Sequence, residues 1–298
     1  MALMLLITGP SGNVGHELVD LLSEASGMPS WRVGSRHPDR SRRQGAAQQP
    51  EAVTLDFLDP TTWPSALADV DCLFLLFPLP GNTAARTAII PFIQAADRAG
   101  CRHVVYVSVC GADRARFIPH YKVEAALRAS SMTWTVLRCS FFMQNLHRAV
   151  STPGTDIVER SELFIPAGSG RTTFIDARDA AEVAAVALRA PHDHRNAVYH
   201  LTGPAALSMA EVATALTAAL GRPVRYARPG LVRFMARLAR RRVGWKTIAF
   251  MSAVYTLTRL GRNQPLTDDV QLLLGRPPRT LADFLDDSVW RWRERAWT

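Results

Sequence analysis

The sequence is poor in lysine. Of its 35 basic residues two are lysine, Lys122 and Lys246, and the rest are arginine. The net charge is +9, yet the arginines are scattered, apart from Arg40-Ser41-Arg42-Arg43 and a run from Arg237 to Arg242. A uniform shift to arginine reflects coding composition more than a nucleic-acid groove, which gathers its cations on one face. No nucleic-acid partner is expected. Cysteine is also scarce. Cys72, Cys101, Cys110 and Cys139 have no metal-ligand spacing, and three of them lie in or beside apolar runs. They read as buried free thiols, and no metal is expected. No stretch is long and apolar enough to span a membrane, and there is no repeat or disordered linker. The apolar start, Leu3-Met4-Leu5-Leu6-Ile7, lacks a basic leader and ends in glycines rather than a cleavage site. It reads as the first strand of a cytoplasmic protein, not as a signal peptide.

That strand stops at Gly9-Pro10-Ser11-Gly12-Asn13-Val14-Gly15. A helical pattern follows at once, with Val14, Leu18, Leu21 and Leu22 at i, i+4, i+7 and i+8. Glycines spaced G-x-x-G-x-x-G between a strand and a helix suit a dinucleotide. The pyrophosphate needs bare backbone N–H groups at a helix N-terminus, where the dipole favours negative charge. The alternative is an ordinary strand–turn–helix with packing glycines.

Strand patterns recur at 31–35, 52–55, 70–77, 102–108 and 133–137, and helical ones at 82–100 and 120–131. This alternation predicts a parallel sheet with helices on both faces. A ligand then sits beyond the carboxyl ends of the strands, where strand order reverses. Gly9, the end of the second strand, Phe77-Pro78 and Ser108 should share that rim. Residues 151–171 read as a loop excursion with a short strand at 163–165. The alternation returns with a strand at 172–175, a helix at 179–189 and a strand at 198–201. A helix follows at Met209–Leu220, capped by Ser208. Residues 231–260 are helical, apolar and basic, and 280–295 form a helix bearing Phe284, Trp290 and Trp292. The expected division is a nucleotide-binding core at 1–148, its sheet completed by about 172–202. A smaller, mostly helical substrate-side region would comprise 149–171 and 203–298.

Several motifs together are similar to the NmrA-like atypical short-chain dehydrogenases. They are Ile7 to Gly15, then Val104-Val105-Tyr106-Val107-Ser108, then Thr135-Val136-Leu137-Arg138 followed by Phe141-Phe142-Met143-Gln144-Asn145. Phe174-Ile175-Asp176-Ala177-Arg178-Asp179, Leu201-Thr202-Gly203-Pro204 and Gly275-Arg276-Pro277-Pro278-Arg279-Thr280 also match. The resemblance spans nearly the whole chain except about 231–263. It implies an α/β fold, a Rossmann-type doubly wound parallel sheet, binding NADP(H). Two departures stand out. None of the five tyrosines has a lysine four residues on, so the Tyr-x-x-x-Lys pair of typical short-chain dehydrogenases is absent. Cys139 also replaces the proline that usually follows the arginine ending the sixth strand.

Arg36 ends the second strand. NAD-binding folds usually place an acid there for the ribose 2′-hydroxyl; an arginine instead forks onto a 2′-phosphate. A solvated surface arginine is the alternative, as it is for Arg40. The resemblance implies that Gly9, Ser11, Gly12, Asn13, Val14 and Gly15 bind the cofactor. It also implies that Asp56 and Phe57 meet the adenine edge, and that Phe77 and Pro78 pass under the ribose and nicotinamide. Asp56 could instead be a turn or capping residue. Lys122 would sit near the nicotinamide ribose and, with Tyr121, is the catalytic candidate; facing solvent or pairing with a carboxylate is its alternative. His120 is a further pocket candidate. Ser108, counted among the cofactor-binding candidates, matches the strand-end position of the catalytic serine in typical members, and without the tyrosine its catalytic role stays open. Phe141, Phe142, Met143 and Asn145, with 231–260, should shape the substrate pocket, although 231–260 could equally pack elsewhere or against a twin subunit in a homodimer. Asp176 and Asp179 read as structural. The expected function is hydride transfer from NADPH to an apolar, aromatic small molecule such as a quinone or a polyketide-like enone or carbonyl. The rival is a non-catalytic NADP(H)-sensing regulator. An epimerase is a third reading, against which the missing Tyr-x-x-x-Lys counts.

Overall fold

The computed structural model describes residues 3–25, 29–38, 50–77, 81–147, 152–289 and 292. By internal contacts the chain divides into two units, Met1–Cys139 with Ala177–Leu201, and Ser140–Asp176 with Thr202–Thr298.

In the first unit the opening apolar run forms β1 (Met4–Thr8), and Leu5, Leu6, Ile7 and Thr8 are fully buried. Successive strand side chains point to opposite faces, so a strand apolar on both sides belongs in the middle of a covered sheet. β1 lies there, parallel to β2 (Ser30–Ser35) on one side and β4 (Cys72–Leu76) on the other. β3 (Glu51–Thr54) lies beyond β2. β5 (His103–Val109), β6 (Thr133–Cys139) and the edge strand Ala197–Leu201 follow beyond β4. All seven strands are parallel, and strand order reverses between β1 and β4. Helices α1 (Asn13–Glu24) and Ala177–Arg189 pack together and against the sheet. Another core joins Trp63, Phe92, Val123 and Leu127 of the intervening helices to Leu73, Leu75, Val104 and Tyr106 of β4 and β5. This is the doubly wound Rossmann-type sheet that the alternation predicts. The helix expected at 82–100 is a π-helical turn (Ala85–Ile89) between helices Gly81–Ala84 and Ile90–Arg98. Pro91 has no N–H for the preceding turn and its ring crowds it; a wider local register accommodates both.

In the second unit, Phe141–Phe142 and Ala206–Ser208 flank Arg171–Ile175 in a three-stranded sheet. The strand expected at 172–175 therefore forms, but pairs here and not in the seven-stranded sheet. A periodic pattern identifies a strand without naming its partner. The expected loop at 151–171 contains a helix, Thr152–Arg160. Its glycine and threonines are weak helix formers, and tertiary contacts override them. Ile157 is buried, and the fully buried Asp156 carboxylate accepts from Arg237 at 2.8 Å and Arg241 at 2.7 Å. The short strand expected at 163–165 is Glu162–Leu163, paired with Arg225–Tyr226; Phe164 and Ile165 go into the core. Residues 231–260 form two helices, Leu231–Arg240 and Trp245–Arg259. Phe234, Leu238, Ile248 and Tyr255 are buried, while Val232, Trp245, Phe250 and Leu257 are exposed. Ser208 caps Met209–Leu220 in a full capping box with Glu211. Of the helix expected at 280–295, Leu281–Ser288 forms and is capped by Thr280; beyond Val289 only Trp292 is among the described residues. Trp292 is buried and donates its Nε1–H to the Leu146 carbonyl at 3.2 Å; Trp290 lies outside the described residues. Among the described residues, no helix is long and apolar enough to cross a membrane, and no residue cluster could hold a metal ion.

Two stability predictions follow from buried polar groups. Asp156→Ala leaves Arg237 and Arg241 without their shared acceptor. Both arginines keep some solvent contact, so the expected loss is about 1.5–3 kcal/mol, read by urea unfolding. A variant as stable as wild type would show that the cluster is neutral. His103, at the start of β5, bonds the hydroxyls of Thr133 (2.8 Å) and Thr135 (3.1 Å). Burial, aided by the charge of His194, holds its pKa down at about 4. The unfolded chain binds this proton near 6.5, so acidification between pH 6.5 and 4 favours unfolding, by up to ~1.4 kcal/mol per pH unit. His103→Gln should flatten that slope in melts across pH 4–7; an unchanged slope would assign it to other groups.

Candidate active site

The Thr8 hydroxyl fixes the reversal point. It donates to the Phe74 carbonyl at 3.0 Å and accepts from the Leu76 N–H at 3.1 Å, tying the ends of β1 and β4 together. Leu76 therefore lies against the glycine turn. A Cβ on Gly9 would stand 2.8 Å, and one on Gly12 2.5 Å, from Leu76 Cδ2. Gly9 is also left-handed (φ 64°). A Cβ on Gly15 would meet the Gly9 carbonyl oxygen at 2.1 Å. The turn closes with Gly12 N–H donating to Gly9 O at 2.9 Å. α1 begins at Gly12, which has no side-chain acceptor, and its first turn carries no acid. Val14 is buried beneath the turn and Ser11 is exposed above it. Bare backbone and the positive end of a helix thus meet beyond the switch point, and this cradle fits a dinucleotide pyrophosphate.

Arg36 is exposed immediately beyond β2, and Arg40 lies outside the described residues. Asp56 closes a turn after β3: its Oδ1 accepts from the Leu58 N–H at 2.9 Å, and its carbonyl accepts from Trp63 Nε1 at 2.9 Å. The neighbouring Phe57 ring is buried edge-on against Phe92 at 5.0 Å. Phe77 follows β4 and is half-buried; Pro78 lies outside the described residues.

Phe77 meets the His120 ring edge-on at 5.3 Å, and His120 Nδ1 bonds the Tyr106 hydroxyl at 2.7 Å. Burial lowers the His120 pKa to about 4, against the opposing pull of Glu124, and raises that of Tyr106 well above its usual value. The pair is therefore neutral near pH 7. With Tyr106 donating to Nδ1, the other ring nitrogen is a hydrogen-bond donor.

The Ser108 hydroxyl donates to buried Glu124 at 2.7 Å. Glu124 also accepts from Arg138 (Nε 3.1 Å, Nη2 2.7 Å) and Arg128 (2.9 Å). Burial alone would raise the Glu124 carboxyl, but the bonds from Arg138, Ser108 and Arg128 outweigh it and hold the group below its usual range. Ser108 is thereby engaged in a structural network. Sequence reading overlooks Glu124 and takes Arg138 only as part of a motif, although the signal for their pairing is present. Tyr106 and Ser108 share one face of β5 at i, i+2, and His120 and Glu124 share one face of Pro119–Arg128 at i, i+4. Lys122, two residues from each, lies on another side of that helix. Lys122 and Tyr121 are half-buried, and among the described residues neither forms a side-chain hydrogen bond or ion pair.

No reactive thiolate is available. Burial pushes Cys72, Cys101 and Cys110 up to about 12. Cys139 extends β6 by one paired residue and is fully buried at the strand end. Asp179 stands in the first turn of its helix and Asp176 accepts from Gln144 at 2.8 Å, the structural roles expected of both.

Phe141, Phe142, Met143 and Asn145 belong to the second unit. The Phe141 ring meets Phe174 edge-on at 5.4 Å and Tyr255 at 6.4 Å. Met143 is buried, whereas Phe142 and Asn145 are half-buried.

A family model described as NAD(P)H-binding matches residues 9–191. An NAD(P)H azoreductase of Xenophilus azovorans is 37% identical over 286 residues, covering 94% of this chain and 96% of that protein. The crystal structure of an NADPH-dependent quinone oxidoreductase of Escherichia coli is 25% identical. It covers 96% of this chain and all of its own at a TM-score of 0.77. NmrA, a negative transcriptional regulator crystallised with NADP, shares the fold alone, at 14% identity and a TM-score of 0.72. With the glycine cradle at the reversal of a seven-stranded parallel sheet, these likenesses place the chain in the NAD(P)H-binding family, as an NAD(P)H-dependent oxidoreductase.

Proposed function

We propose that this protein transfers hydride from NADPH to an apolar, aromatic acceptor, a quinone or a polyketide-like enone or carbonyl. The glycine cradle against Leu76 carries the cofactor half of this reading. The acceptor half is supported by the names of two relatives, an NAD(P)H azoreductase and a quinone oxidoreductase. When bound, the nicotinamide supplies the hydride. In this reading the Gly9, Gly12 and Gly15 backbone, with Ser11, Asn13 and Val14, holds the pyrophosphate. Arg36 holds the 2′-phosphate, Asp56 and Phe57 border the adenine, and Phe77 and Pro78 border the ribose and nicotinamide. Ser108 acts by locking Glu124 and so fixing the Pro119–Arg128 helix. Phe141, Phe142, Met143 and Asn145 contact the acceptor. The deciding experiment follows NADPH oxidation by the purified protein over quinones, enones and azo compounds. Tight cofactor binding with no turnover on any acceptor would instead support a sensor.

Arg36 generates a prediction on cofactor choice. Losing one charge-assisted contact to a phosphate costs about 1.5–3 kcal/mol, roughly ten- to a hundredfold in affinity. Arg36→Ala should lose that factor for NADPH and little for NADH in parallel titrations. Equal wild-type affinity for the two cofactors would remove Arg36 from recognition.

A second prediction concerns the group that meets the developing charge. As hydride reaches an enone or quinone, negative charge grows on oxygen, and a nearby cation or donor accelerates the step by roughly 10²–10⁴-fold. Lys122 is a cation without a partner among the described residues; His120 is a neutral donor beside Phe77. A quinone can take its proton from water, whereas an enone needs more help. Lys122→Met should therefore lower turnover of enones more than of quinones, with Tyr121→Phe as a milder companion. If Lys122→Met is fully active and His120→Phe is not, the role passes to the His120–Tyr106 pair.

A further inference from the structure

The second unit contains an open recess of about 420 Å³, lined by Gly168, Ser169, Arg228, Pro229, Gly230 and Arg259. None of these belongs to the cofactor-binding residues named above. The lining is unsuited to an apolar acceptor, because proline is its one apolar side chain. Its charge is of one sign: two arginines and no carboxylate.

Three features converge on this space. Arg228 and Arg259 are both exposed, and among the described residues neither forms an ion pair. The Tyr226 hydroxyl donates to the Ile165 carbonyl at 3.0 Å, and burial raises its pKa against the opposing charges of Arg228 and Arg259. Close backbone packing fixes the loop that carries Gly168 and Ser169. A Cβ on Gly170 would lie 2.0 Å from the Thr258 carbonyl oxygen, and one on left-handed Gly168 (φ 60°) would touch the stem of Arg259 at 3.4 Å. The Ala167–Gly170 turn, closed by a 2.9 Å bond, is thereby pressed against the end of helix Trp245–Arg259 and holds the Arg259 stem. The third feature is helix Leu231–Arg240. It starts at Gly230, which has no capping side chain, and its first turn carries no acid. Its positive end reaches the recess uncompensated.

Two cations and a helix N-terminus facing one concave volume repel one another, and an anion removes the repulsion. Arginine forks match the oxygens of a tetrahedral oxyanion. The recess exceeds what a bare ion fills and lies in the range of small-ligand sites, about 300–1,000 Å³. We infer that this recess binds the oxyanion of a small organic phosphate or sulfonate, gripped between Arg228 and Arg259 with Ser169 beside them.

The test uses phenyl phosphate, benzenesulfonate and neutral benzyl alcohol as probes. They are titrated calorimetrically into the full chain saturated with NADPH, which keeps the probes out of the cofactor site. The two anions should bind saturably, benzyl alcohol should not, and the tighter anion identifies the group the recess favours. Arg228→Gln and Arg259→Gln should each weaken binding about five- to tenfold, the double variant should abolish it, and Ser169→Glu should mimic the double variant. Arg240→Gln, outside the recess, should bind like wild type. NADPH affinity and melting temperature should be unchanged in all, which separates loss of this site from loss of fold or of cofactor binding. No saturable anion binding by wild type, or undiminished binding by the double variant, would overturn the assignment.

Discussion

The architecture of the first unit depends on one close approach of backbone to backbone. The Gly9 carbonyl occupies the space where a side chain at residue 15 would begin. That contact sets the angle at which the chain leaves β1 and enters α1. The Thr8 hydroxyl then ties β1 to β4, so Leu76 closes the other wall of the turn. A side chain at Gly9, Gly12 or Gly15 forces backbone or Leu76 to move. What remains is a set of peptide N–H groups at a helix end, within a sheet whose order reverses at that point. A phosphate-bearing cofactor is the ligand such a place can hold without further charged side chains.

A second constraint organises the Pro119–Arg128 helix. The rise of two strand residues is close to that of four helix residues. Two pairs can therefore form in register, Tyr106 with His120 and Ser108 with Glu124. The first pair is neutral. The second contains a buried carboxylate that would be intolerable alone and is satisfied by Arg138, Arg128 and Ser108. Together they fix the helix rotation, and with it which residues turn toward β5. Lys122 is placed by this locking, since two residues along a helix correspond to more than half a turn.

The sequence exposed the first unit well and the second poorly, for a physical reason. In the first unit β1, β3 and β4 are each soon followed by a helix, and the glycine turn, the parallel sheet and Arg36 beyond β2 all come from local pattern. In the second unit, helix Thr152–Arg160 looks like loop because its stabilising partners, Arg237 and Arg241, lie about eighty positions away. Arg171–Ile175 shows strand periodicity but not that its neighbours are Phe141–Phe142 and Ala206–Ser208. At the site, Glu124 escapes notice because a glutamate on an amphipathic helix normally reads as a solvated face. Only the opposing strand shows it to be buried. His120 draws notice beside Tyr121 and Lys122, while its bond to Tyr106 does not show in the sequence.

The scarcity of lysine takes on structural meaning in this light. Two buried carboxylates among the described residues lie under arginines: Glu124 under Arg138 and Arg128, and Asp156 under Arg237 and Arg241. Lysine would serve badly there. Its single ammonium cannot reach both oxygens of a carboxylate from one direction, and removing it from water costs more than removing a guanidinium. Arg237 adds a packing role, its guanidinium 3.3 Å from the centre of the Phe164 ring. Such clusters consume their cations, since an arginine forked onto a buried acid has few donors left for a ligand. Basic residues outside such clusters keep their donors for other partners; Arg36 beyond β2, Lys122 on its helix, and Arg228 and Arg259 at their recess are among them. Binding capacity in this protein is thus set less by how many basic residues it has than by which of them the fold leaves unengaged.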